Sequence, residues 1–175
     1  MNLINLLEKI SINNQKIYGE SSFLIKKSEP DSDQFLTYKN SIPECDFNID
    51  IGGNINDFLG SDSIQEIQYM FSDIFDRDST VFLTQHDTNI VYIENESGKV
   101  GACIAGDTLH IISKNIYGFL EAINLIQELI INKYNLNPRK DSGGYVEGFI
   151  KEVRANLEIQ AAVEDIEYFI EFFYE

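Results

Sequence analysis

The sequence predicts an α+β domain in which an antiparallel β-meander packs with helices on one face, followed by an acidic amphipathic helix at the C-terminal end. Three observations predict this fold class. Four short β-type runs succeed one another between residues 80 and 112, a wide apolar helical stripe follows them, and the last residues alternate apolar and acidic side chains with helical period. The chain has 175 residues, 43% of them hydrophobic, which suits a single domain over 1–175.

The first fifty residues predict one helix and three strands. Apolar residues at helical spacing from Leu3 to Ile10 predict an amphipathic helix that ends near Ser11. Short β-type runs at 22–25, 35–38 and 47–51, separated by prolines, predict three strands. In the last run apolar and polar residues alternate, as they do in a strand with one face in water.

A second helix is predicted from Ser63 to about Asp76. Ser63 and Glu66 stand three residues apart, so each side chain can accept from the backbone of the other in a capping box. The apolar residues that follow keep helical spacing on one side. The other side of this helix shows acidic residues to water.

The meander is predicted from four successive runs, at 80–84, 89–94, 99–105 and 108–112. Their connections are short and contain glycine, at Gly98 and Gly106. Loops of this length join only antiparallel neighbours.

A long helix from Ile116 to about Tyr134 is predicted from a wide apolar stripe. After it, Asp141-Ser-Gly-Gly144 has the composition of a loop. Residues 141–175 are therefore either part of the single domain or a loosely attached helical extension of it. From about Glu147 the chain is predicted to be helical again.

The net charge of −16 is concentrated in two segments. Residues 41–80 carry nine acids against Arg77 alone, and residues 141–175 carry nine against Lys151 and Arg154. Such a field repels nucleic-acid phosphates and attracts basic protein surfaces. The alternative is an ordinary solvated acidic surface.

The C-terminal segment predicts an acidic ridge on one helix. Gln160 and four glutamates recur at offsets 0, 4, 7, 11 and 15, with no lysine to pair them. The residues predicted to bind a partner are these glutamates and four aspartates of the first acidic segment: Glu164, Glu167, Glu171, Glu175, Asp62, Asp73, Asp76 and Asp78.

No catalytic, cofactor or metal site is predicted. His86 lies in a turn-like stretch and His110 is expected on the solvent side of a strand at the sheet edge. The spacing Asp73, Asp76, Asp78 lacks the glycine of a calcium loop. Cys45 and Cys103 are expected to be reduced packing residues. The sequence shows neither a signal peptide nor a membrane span, so a cytoplasmic protein is expected.

Residues 42 to 126 resemble the SUKH superfamily, which is named for yeast cell-wall regulators and bacterial immunity proteins. The resemblance lies in the Gly52-Gly53-Asn54 turn, the helix beginning Ser63-Ile-Gln-Glu-Ile67, the meander, and the segment from Ile111 to Leu120 with its Phe119-Leu120. The sequence departs from the family in having no tryptophan and in having His86-Asp87 where a Gly-Asp pair is expected.

The resemblance implies a cytoplasmic immunity protein that binds and neutralises a cognate toxin, often a nuclease. A nuclease presents a basic groove to its substrate, and an acidic surface is complementary to that groove. The charge distribution agrees with this hypothesis independently. The alternative is an adaptor or regulator that binds an endogenous basic protein, and an enzyme with a hidden carboxylate site is the third class.

Overall fold

A six-stranded antiparallel sheet organises the fold, and its strands lie in the order in which they occur along the chain, β1-β2-β3-β4-β5-β6. The structure is a computed structural model. It describes residues 2–19, 23–26, 29, 31–54, 56–70, 78–86, 88–106, 108–160 and 162–175.

Helices and strands are segregated along the chain rather than alternating, which is the α+β class that the sequence predicts. The strands are β1 (Phe47–Asn48), β2 (Asp57–Phe58), β3 (Ser79–Gln85), β4 (Asn89–Glu94), β5 (Val100–Cys103) and β6 (His110–Ser113). The helices are α1 (Leu3–Tyr18), α2 (Gln34–Ser41), α3 (Ser63–Met70), α4 (Ile116–Lys133), α5 (Phe149–Ile159) and α6 (Ile166–Tyr174).

The predicted meander is confirmed as β3 to β6. The β4–β5 turn closes through a hydrogen bond of 2.8 Å from the Gly98 N–H to the Glu94 carbonyl, and Gly98 has a φ of 70°. This left-handed conformation favours glycine, which is why the turn can be so short. Consecutive residues of β3 and β4, including Phe82 and Tyr92, are at most 2% exposed, so both faces of these strands are covered.

The helix α4 confirms the long helix predicted after the meander. Asn115 caps it by accepting from the Gly118 N–H at 2.8 Å. Phe119 of α4 meets Phe82 of β3 edge to face, with ring centroids 5.7 Å apart, and Tyr38 of α2 meets the same ring. These aromatic rings join α4, α2 and the sheet into one core.

Two predictions for the first forty residues are wrong. The first helix continues to Tyr18 because amides replace apolar residues on its inner side: Asn13 donates to Asn124 of α4 at 3.2 Å. Residues 35–38 lie in α2 rather than in a strand, because Asp33 caps this helix by accepting from the Phe35 and Leu36 N–H groups.

Of the two other predicted early strands, the first is absent from the described residues and the second is shorter than predicted. Residues 23–26 form no strand, and residues 20–22 lie outside those described. The run at 47–51 pairs only through Phe47 and Asn48 of β1, because the N–H of Asp50 is taken by the side chain of Asn14 at 2.7 Å. The helix predicted to reach Asp76 is described as α3 to Met70, and residues 71–77 lie outside those described.

The continuous C-terminal helix is the largest error. The chain is helical in α5 and α6, but between them the backbone pairs with the edge strand β6. Val163 forms a bridge with Ser113, the Glu164 N–H donates to Ile112 at 3.0 Å, and the Lys114 N–H donates to Ala162 at 2.8 Å. Backbone groups used in this way cannot continue a helix. Ile159, the last residue of α5, is 83% exposed, so the apolar stripe does not continue through this break.

The segment 141–175 belongs to the same core as the sheet. Phe149, Phe169 and Phe173 are fully buried, and Phe169 and Phe173 both pack near Phe119 of α4. A loosely attached extension would leave these rings in water. Among the described helices, none has the length and apolar character needed to cross a membrane.

Candidate interaction site

The acids predicted to bind a partner are exposed wherever the structure describes them. Asp73 and Asp76 lie outside the described residues. The other six are exposed: Glu164, Glu167, Glu171, Glu175, Asp62 and Asp78. The structure divides five of these six among three places, and Glu164 lies apart from them, in the segment that pairs with β6.

The first place is the outer side of α6. Glu167, Glu171 and Glu175 follow one another at intervals of four residues, so they share one side of the helix. The opposite side carries Phe169 and Phe173, which are buried. The helix begins at Asp165, whose side chain accepts from the Tyr168 N–H at 2.9 Å. This cap fixes where the acidic side starts.

Glu164 does not belong to this helical side, which corrects the predicted four-glutamate ridge. It precedes the Asp165 cap, and its backbone N–H pairs with β6. Gln160, the predicted first member of the row, is also outside a helix and donates to Glu121 of α4 at 2.8 Å. The ridge therefore has three glutamates rather than four.

One glutamate of α6 is paired with a base, which the sequence pattern did not reveal. Arg154 of α5 forms an ion pair with Glu167, and their side chains are 36% and 74% exposed. Since α5 and α6 are separate helices in contact, Arg154 can reach across from one to the other. Among the described residues, Glu164, Glu171 and Glu175 have no such ion-pair partner.

Asp62 lies in the second place, beside two further acids. The Asp62 N–H donates to the Glu44 carbonyl at 3.2 Å, and the Gly60 N–H donates to the Asp46 carboxylate at 2.8 Å. Gly60 allows this approach, because a Cβ there would lie 2.1 Å from the Glu44 oxygen. Lys26 pairs with Glu44 at 2.9 Å and lowers the pKa of that carboxyl. No sequence pattern predicted that residues 44–46 would lie beside Asp62.

Asp78 lies in the third place, at the start of β3. Its carbonyl accepts from the Asn95 N–H at 2.7 Å, which places it next to the β4–β5 turn and its Glu94 and Glu96. The two acidic segments of the chain do touch, but elsewhere: the Asn54 N–H donates to the Phe173 carbonyl at 2.9 Å. Apart from Glu164, the predicted acids that the structure describes therefore lie in three groups, and contact between the segments does not bring these groups together.

A cleft of about 600 Å³ opens beside the third group. Three parts of the chain form it: the beginning of α2, the β4–β5 turn and the beginning of α4. The described lining residues are Ser32, Asp33, Gln34, Phe35, Ile93, Glu94, Asn95, Glu96, Ser97, Gly98, Lys114, Asn115 and Ile116.

The cleft combines an apolar floor with a charged rim. Its apolar lining residues are the half-buried Phe35 and the buried Ile93 and Ile116. Three of the lining residues are acids, and Lys114 is the one base among those described. No sequence pattern could have identified this cleft, because its residues come from three distant stretches of the chain.

Neither histidine lies in an obvious reaction centre. His86 is exposed in a turn with a φ of 52°, as predicted for a surface turn. His110 is half-buried rather than on the solvent side: its ring stacks on Tyr168 at 3.9 Å, and its Nδ1 lies 3.5 Å from an Asp165 oxygen. Among the described residues, no group of three or more His, Cys, Asp or Glu side chains is arranged to hold a metal ion.

The two cysteines do not form a disulfide with each other. Cys103 is buried in β5, as predicted, but the prediction that Cys45 is a packing residue is wrong, because Cys45 is exposed between Glu44 and Asp46.

Comparison with known proteins leaves the family of the chain open. No family model, no curated protein and no solved structure matches it. The SUKH resemblance consequently stays a prediction from the sequence.

Proposed function

We propose that the protein is a non-enzymatic binding protein of the cytoplasm that neutralises a cationic protein by covering its basic surface. The observation that carries the proposal is that most of the predicted, exposed carboxylates have no ion-pair partner among the described residues. Of the six predicted acids that the structure describes, only Glu167 has an ion-pair partner among the described residues. The whole chain has 29 acids against 13 lysines and arginines.

Unpaired exposed acids favour binding over a purely solvated surface for an energetic reason. Exposed ion pairs contribute little stability, so their absence costs the fold little. Concentrated negative charge, however, accelerates encounter with a basic partner by long-range attraction. The three acidic groups would give a basic partner a negative surface at several points, and inhibition would follow from occlusion.

The partner that we propose is a nuclease-type bacterial toxin, for which this chain would be the immunity protein. The SUKH resemblance of residues 42–126 supports this partner, and the basic substrate groove of a nuclease is complementary to the acidic groups. An endogenous basic protein, bound by an adaptor or regulator, would use the same surface. Binding experiments with the toxin domain and co-purification from the native host distinguish these two partners.

The test uses the toxin domain encoded directly upstream of this gene in its native genome, produced as an inactive variant. Binding at nanomolar concentration, together with protection of cells that express the active toxin, would support the immunity function. An isolated gene with no toxin locus nearby, or a toxin domain that does not bind, would contradict it. Co-purification from the native host would then identify an endogenous partner instead.

The acidic side of α6 is tested with Glu171→Lys combined with Glu175→Lys. These two positions are preferable to Glu167, which holds Arg154. Lysines at the C-terminal end of a helix interact favourably with its dipole, so the fold should be unaffected. We expect the association rate at low salt to fall roughly 10-fold and to lose much of its salt dependence.

The matched control is Glu8→Lys combined with Glu29→Lys. Both glutamates are exposed, and the charge change is the same, but they lie in the charge-balanced first forty residues. An equal loss of association rate in both variants would show that net charge alone is responsible, and would contradict a binding role for α6.

A further inference from the structure

We infer that the cleft between α2, the β4–β5 turn and α4 receives an arginine side chain of the basic partner. This inference rests on the proposed function, because it assumes that the partner is cationic. It adds that the complex is anchored by an arginine side chain of the partner bound in this cleft.

The shape of the cleft fits a long side chain with a charged end. A volume of about 600 Å³ exceeds that of one amino-acid side chain, so the guanidinium and its methylene stem can both enter. Ile93 and Ile116 are only 2% and 1% exposed and close the floor of the cleft, so the half-buried Phe35 provides most of the apolar surface for the stem. Phe35 provides an aromatic ring on which a planar guanidinium can lie, which favours arginine over lysine.

The charge of the rim also favours a cation. Asp33, Glu94 and Glu96 give three negative charges, and Lys114 removes one, which leaves the described lining at −2. Two of these carboxylates are held in place. One Asp33 oxygen accepts from the Phe35 N–H at 2.8 Å, and one Glu94 oxygen accepts from the Ser97 hydroxyl. Each retains a second oxygen for a charged donor, and carboxylates fixed in this way bind guanidinium with little loss of entropy.

The direct test titrates Nα-acetyl-arginine amide into the ¹⁵N-labelled full chain and follows amide chemical shifts. We expect saturable shifts confined to residues 33–35, 94–98 and 114–116. The lysine amide should bind more weakly, and the neutral citrulline amide should not bind. Shifts scattered over α6, or equal binding of citrulline, would overturn the inference.

Matched variants separate the cleft from general acidity. Asp33→Asn with Glu96→Gln removes two charges at the rim, and the asparagine can still cap α2. Glu171→Gln with Glu175→Gln removes two charges on α6. The first pair should weaken arginine amide binding about 10-fold and the second should leave it unchanged. Equal effects of the two pairs would contradict the cleft.

A variant that removes a positive charge from the rim should strengthen binding, and stronger binding cannot result from loss of structure. Lys114→Met makes the rim more negative and should tighten arginine amide binding, whereas Lys151→Met, on the exposed side of α5, should not. If Lys114→Met leaves the affinity unchanged, the rim does not govern binding.

The same variants distinguish this inference from the proposed function. Undiminished toxin binding by Asp33→Asn with Glu96→Gln would reject the cleft as the anchor and leave toxin neutralisation standing. Arginine amide bound in the cleft by a chain that binds no toxin would support the cleft and reject the toxin.

Discussion

The carboxylates of α6 and those of the cleft have the same charge, but the structural elements that hold them differ. Behind the outer side of α6 stand Phe169 and Phe173, which are fully buried in the core. Behind the rim of the cleft stand a turn and the beginnings of two helices, with the half-buried Phe35 at the floor. The surface on α6 is the outward side of a helix that packs on the buried core, whereas the cleft is concave and built from connecting segments.

This difference suggests a division of labour in binding. Acids on an outward surface act at a distance, so they raise the rate of encounter and are weakened by salt. Acids around a recess act on a group that enters it, so they set the rate of dissociation and the choice of partner. Replacing the buried aromatic residues beneath α6 should therefore lower the stability of the fold, whereas replacing residues of the cleft should mainly lower the specificity of binding.

The largest expected effect distinguishes these structural elements directly. Phe173→Ala should lower the free energy of unfolding by about 3–5 kcal/mol, because the ring is fully buried between Phe169 and Phe172. Phe35→Ala should cost only about 1–2 kcal/mol, because that ring is half-buried. Urea unfolding followed by circular dichroism measures both. Equal losses of unfolding free energy would show that Phe35 is packed as firmly as Phe173 beneath α6.

A somewhat smaller loss is expected where the loop 50–54 meets α6. In Gly53→Ala the new Cβ would lie 2.2 Å from the Phe173 carbonyl oxygen, which already accepts from the Asn54 N–H. Separating the two segments should cost about 1–3 kcal/mol. Gly143→Ala is a comparison with no atom within 4 Å of the new Cβ, although its φ of 88° is itself strained. A Gly53→Ala protein as stable as wild type would mean that α6 is held without this contact.

The meander within the sheet could be predicted from sequence because the information that specifies it is local, whereas β2 was not predicted. The meander from β3 to β6 needs only alternating β-type runs and glycines such as Gly98 at the turns, and α4 needs only its own apolar stripe. The same local reasoning fails at α2, where the single side chain of Asp33 turns an apparent strand into a helix. Helix propensity is a weak preference that such a cap can override in either direction.

The site was less predictable than the fold, since it depends on long-range contacts. The predicted glutamate row is interrupted because Val163 and its neighbours pair with Ser113, fifty residues away in the chain. That these acids are exposed could be predicted from the sequence, because charged side chains usually lie in water. Their division into three groups, the Arg154 pair and the cleft require knowledge of which segments meet.

Helix caps should contribute equally to the two surfaces. Asp165 caps α6 and Asp33 caps α2, and replacing either by alanine should cost about 1 kcal/mol. Asparagine at the same positions should restore most of the loss, because its side-chain oxygen accepts the same bonds. Thermal unfolding of the four variants measures the costs. If asparagine fails to restore stability at Asp165, the charge facing His110 at 3.5 Å matters more than the cap.

The smallest effect concerns the ion pair between Arg154 and Glu167. Because both side chains are substantially exposed, a double-mutant cycle with Arg154→Met and Glu167→Gln should give a coupling energy of about 0.2–1 kcal/mol. Arg154→Met also leaves Glu167 without its base, so the acidic side of α6 becomes more negative. Association with the proposed basic partner at low salt should then become faster, while the free energy of unfolding hardly changes. A slower association would show that Arg154 itself contacts the partner, and the α6 surface would then be mixed in charge rather than acidic.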